Sequence, residues 1–218
     1  MDGGGAIVIL STIRRAQECA KEVRAQMPEA QIILLHSAFL MPDRAAREQE
    51  LLQKLGTHST KAERDHLIVI GTSVLEQSLD IDGDVMLTDL CPMDLLLQRL
   101  GRLHRHPVHD TMRPEQLKAA QCYVIEPDEE AFESGTHAIY GDYLLMRTKK
   151  RLPDNITLPT DIPNLVQDCY GTWDPHFVGE EDNIYQRAEE KERKKIKSKR
   201  SGAQTYVLGE LDESLTGW

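Results

Sequence analysis

Residues 6–27, AIVILSTIRRAQECAKEVRAQM, carry the reading that decides the fold. Ala6 to Leu10 is an apolar run of strand length, and Ser11 and Thr12 are residues that cap helices. Behind them Ile13, Ala16, Ala20, Val23 and Met27 recur at three- and four-residue spacing, the signature of an amphipathic helix. A strand thus hands over directly to a helix, and the unit repeats. Gln31 to Leu35 reads as the next strand, and Pro42 opens a helix through Leu55 with an apolar stripe at Leu51, Leu52 and Leu55. His66 to Ile70, Asp84 to Leu87 and Gln121 to Ile125 are further strand-like runs, and Met93 to Arg105 reads as a helix. Alternation at this spacing predicts an α/β protein: βαβ units building a mostly parallel sheet covered by helices on both faces.

From Glu126 the pattern changes. Glu129 to Arg151 reads as a longer helix, followed by chain punctuated at Pro153, Pro159 and Pro163. Leu165 to Tyr170 reads as a short helix, and Tyr185 to Lys199 as a charged one, acidic early and basic late, in agreement with the helix dipole. The expected organisation is an α/β lobe over residues 1–127, a linker helix and Pro-rich connection over 128–171, and the start of a helical accessory region over 172–218. The basic end of the charged helix, Arg193 to Arg200, fits either a solvated face or a phosphate contact.

Composition narrows the function. Of 218 residues 40% are hydrophobic and 5% aromatic, so the core is built from Leu, Ile, Val and Ala. A formal charge of −10 excludes a uniformly basic nucleic-acid surface, so any such contact is local. Cys19, Cys91, Cys122 and Cys169 lie far apart without metal-ligand spacing, which predicts reduced thiols and no metal site. With neither a leader pattern nor an apolar run approaching ~20 residues, the expectation is a cytoplasmic protein without a membrane partner.

The segment Gln98-Arg99-Leu100-Gly101-Arg102-Leu103-His104-Arg105 carries the chemistry. On a helix turning about 100° per residue, Leu96, Leu100 and Leu103 anchor one side, while Gln98, Arg102 and Arg105 share an arc of about 60° on the other. One arginine on a helix ordinarily faces water. Two guanidiniums and a carboxamide presented together from a rigid support suit a triphosphate, and Gly101 allows close approach to the backbone. Yet Gly-x-x-x-x-Gly-Lys-[Ser/Thr] occurs nowhere, so the chain cannot wrap the β- and γ-phosphates of a nucleotide as a P-loop does. Asp128-Glu129-Glu130-Ala131 reads as an acidic helix start, and His104, His106, His109 and Asp110 do not make a metal site, because Pro107 interrupts them.

The Gln-x-x-Gly-Arg-x-x-Arg spacing resembles the sixth motif of superfamily 2 helicases, whose arginines act as fingers on the γ-phosphate. Gly71-Thr72-Ser73-Val74-Leu75-Glu76-Gln77-Ser78-Leu79-Asp80-Ile81-Asp82 resembles the fifth motif of that superfamily. Together with Leu34-Leu35-His36-Ser37-Ala38-Phe39, and with Tyr170-Gly171 after Leu158-Pro159, these segments are similar to the helicase-nuclease of type I CRISPR systems, the Cas-three family, over roughly residues 6 to 171. Ala38 departs from the family pattern, which places a basic residue before the Phe.

The resemblance implies a second RecA-like lobe, a three-layer sandwich. Arg102, Arg105 and Gln98 would be its catalytic residues, and Asp80 and Gly101 would meet the nucleotide, Asp80 through its sugar or by linking to the arginine motif. His36, Ser37, Thr72 and Ser73 would hold a nucleic-acid backbone. ATP and Mg would be bound mainly by a first RecA-like lobe. Single-stranded DNA, an HD nuclease region and an RNA-guided surveillance complex would be the partners, in a prokaryotic cytoplasm. Alone, such a lobe would be inactive as ATPase or nuclease. The alternatives are a non-catalytic half of a split helicase, a protein-docking module, or a lobe of an RNA helicase, since phosphate contacts do not read the sugar.

Overall fold

The structure is a computed structural model, and it describes residues 3–76, 79–126, 134–172 and 175–204. Five strands, β1 (Gly5–Ile9), β2 (Gln31–Leu35), β3 (Leu67–Gly71), β4 (Val85–Asp89) and β5 (Gln121–Ile125), form one sheet in the order β2-β3-β1-β4-β5. Every pairing is parallel. The expected parallel sheet is therefore present, with each strand within about one or two residues of its predicted place.

Side-chain alternation explains the layers. Ile7 and Ile9 point to one face and meet Ile33, Leu35, Val69 and Met86 beneath Leu51 and Leu55 of α2 (Met41–Leu55). Val8 and Leu10 point to the other and pack on Ala16 and Ala20 of α1 (Ile13–Gln26). Thr12 caps α1 as the sequence predicts, its hydroxyl accepting from the Arg15 N–H at 3.3 Å. Leu52, expected in the stripe of α2, is instead 41% exposed, lying off the face on which Leu51 and Leu55 are buried. Burying such a leucine stabilises the fold by about 1.5–3 kcal/mol.

The helix that follows β4 is shorter than predicted. After the short α3 (Lys61–Arg64) that leads into β3, α4 spans Met93–Leu100, not Met93 to Arg105. Its end is dictated by Gly83, which precedes β4 and whose backbone is paired by the chain after Gly101. The Gly83 N–H donates to the Arg102 carbonyl at 2.8 Å, and the His104 N–H to the Gly83 carbonyl at 3.1 Å. Leu103 thus forms a parallel bridge with Gly83, and His104 takes a left-handed φ of 48°. A helical Arg102 to Arg105 would forfeit these bonds.

The long helix read over Glu129 to Arg151 is also interrupted where it is described. α5 (Ser134–Tyr140) and α6 (Asp142–Arg151) meet at Gly141, whose φ of 80° no helix accommodates. Asp128-Glu129-Glu130-Ala131 lies outside the described residues. α7 (Ile162–Tyr170) packs on α4 through Leu165 and Cys169. Arg147 of α6, buried, donates to the Cys169 and Asp168 carbonyls at 2.7 and 2.8 Å and so closes the C-terminal end of α7.

The chain divides into two compact units, residues 1–175 and 176–218. In the second, the charged helix extends beyond its predicted bounds as α8 (Gly179–Gln204). Glu180, Glu181 and Asp182 occupy its first turn, and Arg193–Glu189 and Lys194–Glu190 pair along it at four-residue spacing. No helix among the described residues is long and apolar enough to cross a membrane.

Candidate nucleotide and nucleic-acid interface

Two clusters of the predicted residues lie at opposite ends of the strands. At the C-terminal end, β2 and β3 stop side by side because Gly71 has no side chain: a Cβ there would stand 2.4 Å from the Leu35 carbonyl oxygen. The Thr72 N–H donates to that carbonyl at 3.3 Å. This brings Leu35-His36-Ser37 against Thr72-Ser73, which opens a 3-10 turn over Ser73–Leu75. Ser37 and Ser73 are exposed, whereas Thr72 is buried.

His36 is placed differently from the expectation for a phosphate ligand. It is 3% exposed, stacked on Phe39 at 4.2 Å, and its Nε2 lies 3.3 Å from Gln17. The Arg47 guanidinium covers the other side of Phe39 at 4.5 Å. Burial pushes the His36 imidazole below its ordinary pKa, so the ring is a neutral support beneath the surface rather than a cation on it.

At the other end of the strands sits the arginine segment. Arg105 is 42% exposed, and its Nε donates to Asp80 Oδ1 at 2.7 Å while Nη1 reaches the Gly101 carbonyl at 3.2 Å. Arg105 holds the Asp80 carboxyl below the usual carboxylate range, chiefly through that hydrogen bond. Thr57 and His106 flank the same carboxylate at 3.3 Å. Arg102 is half-buried, donates through Nη2 to the Glu76 carbonyl at 2.9 Å, and its buried Nε meets no partner among the described residues. Burial, then Arg105 nearby, lowers its affinity for its proton, though a guanidinium stays charged. Gln98 is exposed on α4. Gly101 has an ordinary right-handed φ of −65°, and a Cβ there would lie 3.3 Å from the Gln98 carbonyl. It is a helix stop more than a gap for a ligand.

Between the two clusters, residues 72–76 and 79–82 are anchored by Leu75, Leu79 and Ile81 in the core. Residues 72–76 are also held, through Glu76, by Arg99, a residue that sequence reading passed over. Arg99 is fully buried and donates through Nε to Glu76 Oε1 at 2.8 Å, through Nη1 to Thr88 Oγ1 at 2.5 Å and through Nη2 to the Tyr140 hydroxyl at 3.1 Å. Burial raises the Glu76 carboxyl above its ordinary range, and Arg99 opposes that rise. The signal was present: Arg99 stands three residues after Leu96, on the buried face of α4. A second network, Asp82 and Asp84 with Arg64, Arg113 and His109, was also missed. His109, weighed above only as a metal ligand, belongs to it. Among the described residues no group of His, Cys, Asp and Glu is arranged to hold a metal ion.

Comparison with known proteins agrees with this architecture. A family described as CRISPR-associated nuclease/helicase Cas3, C-terminal, matches residues 2–108. The CRISPR-associated nuclease/helicase Cas3 of Streptococcus thermophilus is 40% identical over 100% of this chain and 24% of its own length. The CRISPR-associated endonuclease/helicase Cas3 of Thermus thermophilus is 33% identical over 86% of this chain and 20% of its own length. Among solved structures, a CRISPR-associated protein superposes with a TM-score of 0.84 at 35% identity, covering 93% of this chain and 23% of that one. T. fusca Cas3 with ADP gives a TM-score of 0.81 at 27% identity, covering 95% and 24%. The chain thus spans about a quarter of the length of the relatives it matches. With its all-parallel sheet, its Gln98 to Arg105 segment and these likenesses, the chain belongs to the CRISPR-associated nuclease/helicase Cas3 family, as the second RecA-like lobe of the helicase with part of the region that follows.

Proposed function

We propose that this lobe is the second half of an ATP-driven motor that moves single-stranded DNA in CRISPR interference in a prokaryotic cytoplasm. The observation that carries the reading is the presentation of Arg105 and Arg102 beside Asp80, with Ser37 and Thr72 brought together at the opposite end of the strands. Solved relatives bound to ADP, ATP and AMPPNP support a nucleotide as the ligand, and a similar chain occurs in an RNA-guided surveillance complex.

The residues present fit one side of a triphosphate. Arg105 is exposed, Arg102 has a donor without a partner, and Gln98 stands on the adjacent helix turn. ATP with Mg, held mainly by a first RecA-like lobe, would supply the phosphoryl group. Arg102 and Arg105 would place fixed positive charge where negative charge develops on the γ-phosphoryl oxygens, the role in which such a guanidinium is worth roughly 10³–10⁵ in rate. Asp80 orients Arg105 and is the residue that would meet the nucleotide sugar. At the far end, Ser37, Thr72 and Ser73, with the backbone amides of the 3-10 turn, would hold DNA phosphates, and His36 would support that surface from below. Because Thr72 and Asp80 stand only eight residues apart in sequence, closure on nucleotide at one end would be felt as a shift of phosphate donors at the other.

The chain has no P-loop and would supply half of an ATPase site. The purified chain is expected to hydrolyse ATP at background rate with or without single-stranded DNA. DNA-stimulated turnover that persists through purification to homogeneity would sink the half-site reading.

A further inference from the structure

Behind Arg105 lies a carboxylate that the motor chemistry does not touch. Asp82 is fully buried, and one of its oxygens, Oδ1, accepts the Arg105 backbone N–H at 2.7 Å. The other, Oδ2, accepts from His109 Nδ1 at 2.5 Å and Arg113 Nη2 at 2.9 Å. One side chain therefore gathers donors from residues 105, 109 and 113 of the same loop.

The backbone of Asp82 is itself fixed at both sides. Its own N–H donates to the Leu55 carbonyl at the end of α2 at 2.8 Å, and its carbonyl accepts Arg64 Nη2 at 2.7 Å. Arg64 and Arg113 also converge on Asp84, whose Oδ2 takes the Gly5 N–H at 2.7 Å at the start of β1. Ser59 completes the cluster, accepting Arg64 Nη1 at 3.2 Å and lying 3.4 Å from His109 Nε2. Two carboxylates balance two guanidiniums in a space almost wholly buried, where an unmatched charge would be costly. Apolar residues would fill such a space at no smaller stability, so the distinctive property of this cluster is directional: it fixes backbone positions at the root of the arginine segment.

We propose that Asp82 is a positioning residue for Arg105, setting the backbone from which the exposed guanidinium is presented. The inference rests on the finger role assigned above. A finger is useful only if held within a fraction of an ångström of its productive place, and misplacement by about 1 Å can cost about 10²-fold in rate. Binding of nucleotide, by contrast, would rest mainly on the other lobe.

The test uses the full-length enzyme that contains this lobe, with DNA-stimulated ATP hydrolysis as the readout. Asp82→Asn keeps the size and one acceptor but removes the charge that Arg113 and His109 hold. It is expected to lower kcat by about 10- to 100-fold with KM for ATP within about twofold. Ser59→Ala, which loosens the same cluster without touching the oxygen that holds Arg105, is expected to keep kcat near wild type. Wild-type kcat in folded Asp82→Asn, or an equal fall in Ser59→Ala, would overturn the positioning role. Should Asp82→Asn not fold, His109→Gln, which frees only Oδ2, is read instead: a smaller fall in kcat at unchanged KM supports the role, and wild-type kcat overturns it. Arg105→Ala run alongside separates the two claims. If it retains turnover, the finger reading itself fails; if it is dead while Asp82→Asn is fully active, the positioning inference alone fails.

Discussion

Asp80 and Arg105, twenty-five residues apart, are joined by a 2.7 Å hydrogen bond between Oδ1 and Nε, with both side chains about half exposed. The bond fixes the plane of an exposed guanidinium whose Nη1 also reaches the Gly101 carbonyl. It links the two segments that the sequence offered as separate motifs.

The Asp80 carboxyl should therefore titrate below the ordinary aspartate value of about 3.9. Its folded pKa is depressed, so the stabilising contact is complete above that ordinary value and is lost as pH falls through the lower, folded one. Carboxyl-carbon NMR of the isolated chain should show this, and Arg105→Ala should return the midpoint towards the ordinary value. A midpoint unmoved by that substitution would mean that Arg105 is not the cause.

Arg99 and Glu76 form a buried pair, and removing one partner strands the other. Arg99→Ala should cost about 3–5 kcal/mol in urea unfolding, whereas the double replacement Arg99→Met with Glu76→Leu should cost clearly less. Equal losses in the two would show that the pair contributes no coupling.

Gly71 makes room for the Leu35 carbonyl, so Gly71→Ala should force the ends of β2 and β3 apart. The expected cost is about 1–3 kcal/mol, with weaker single-stranded DNA binding by the full-length enzyme because Thr72 and Ser37 separate. A variant as stable as the parent would remove the close approach from the account.

The sheet was legible because its cause is local. Ile7 and Ile9 alternate with Val8 and Leu10, and Thr12 follows at once as a cap, so strand, face and helix start can be read from neighbouring residues. The end of α4 was not legible, since Arg102 and His104, on either side of Leu103, bond to the backbone of Gly83, about twenty residues away, instead of continuing the helix. The same distance in sequence hid the site's supports. Arg99 reads as one more charge in an arginine-rich segment until Glu76, Thr88 and Tyr140 are seen to surround it. Asp82 and Arg113 read as loop residues until both are found buried against each other. His36 differs in the opposite sense: a polar residue at a strand end reads as a surface group, but Phe39 and Gln17 enclose it.

The central claim is that Arg102 and Arg105 act on a triphosphate that this chain does not hold. The most direct measurement is DNA-stimulated ATP hydrolysis, with nucleotide affinity measured in parallel, by the full-length enzyme carrying Arg102→Ala or Arg105→Ala. Each is predicted to lose about 10³-fold or more in turnover with nucleotide affinity nearly unchanged. Wild-type turnover in both variants would contradict the account.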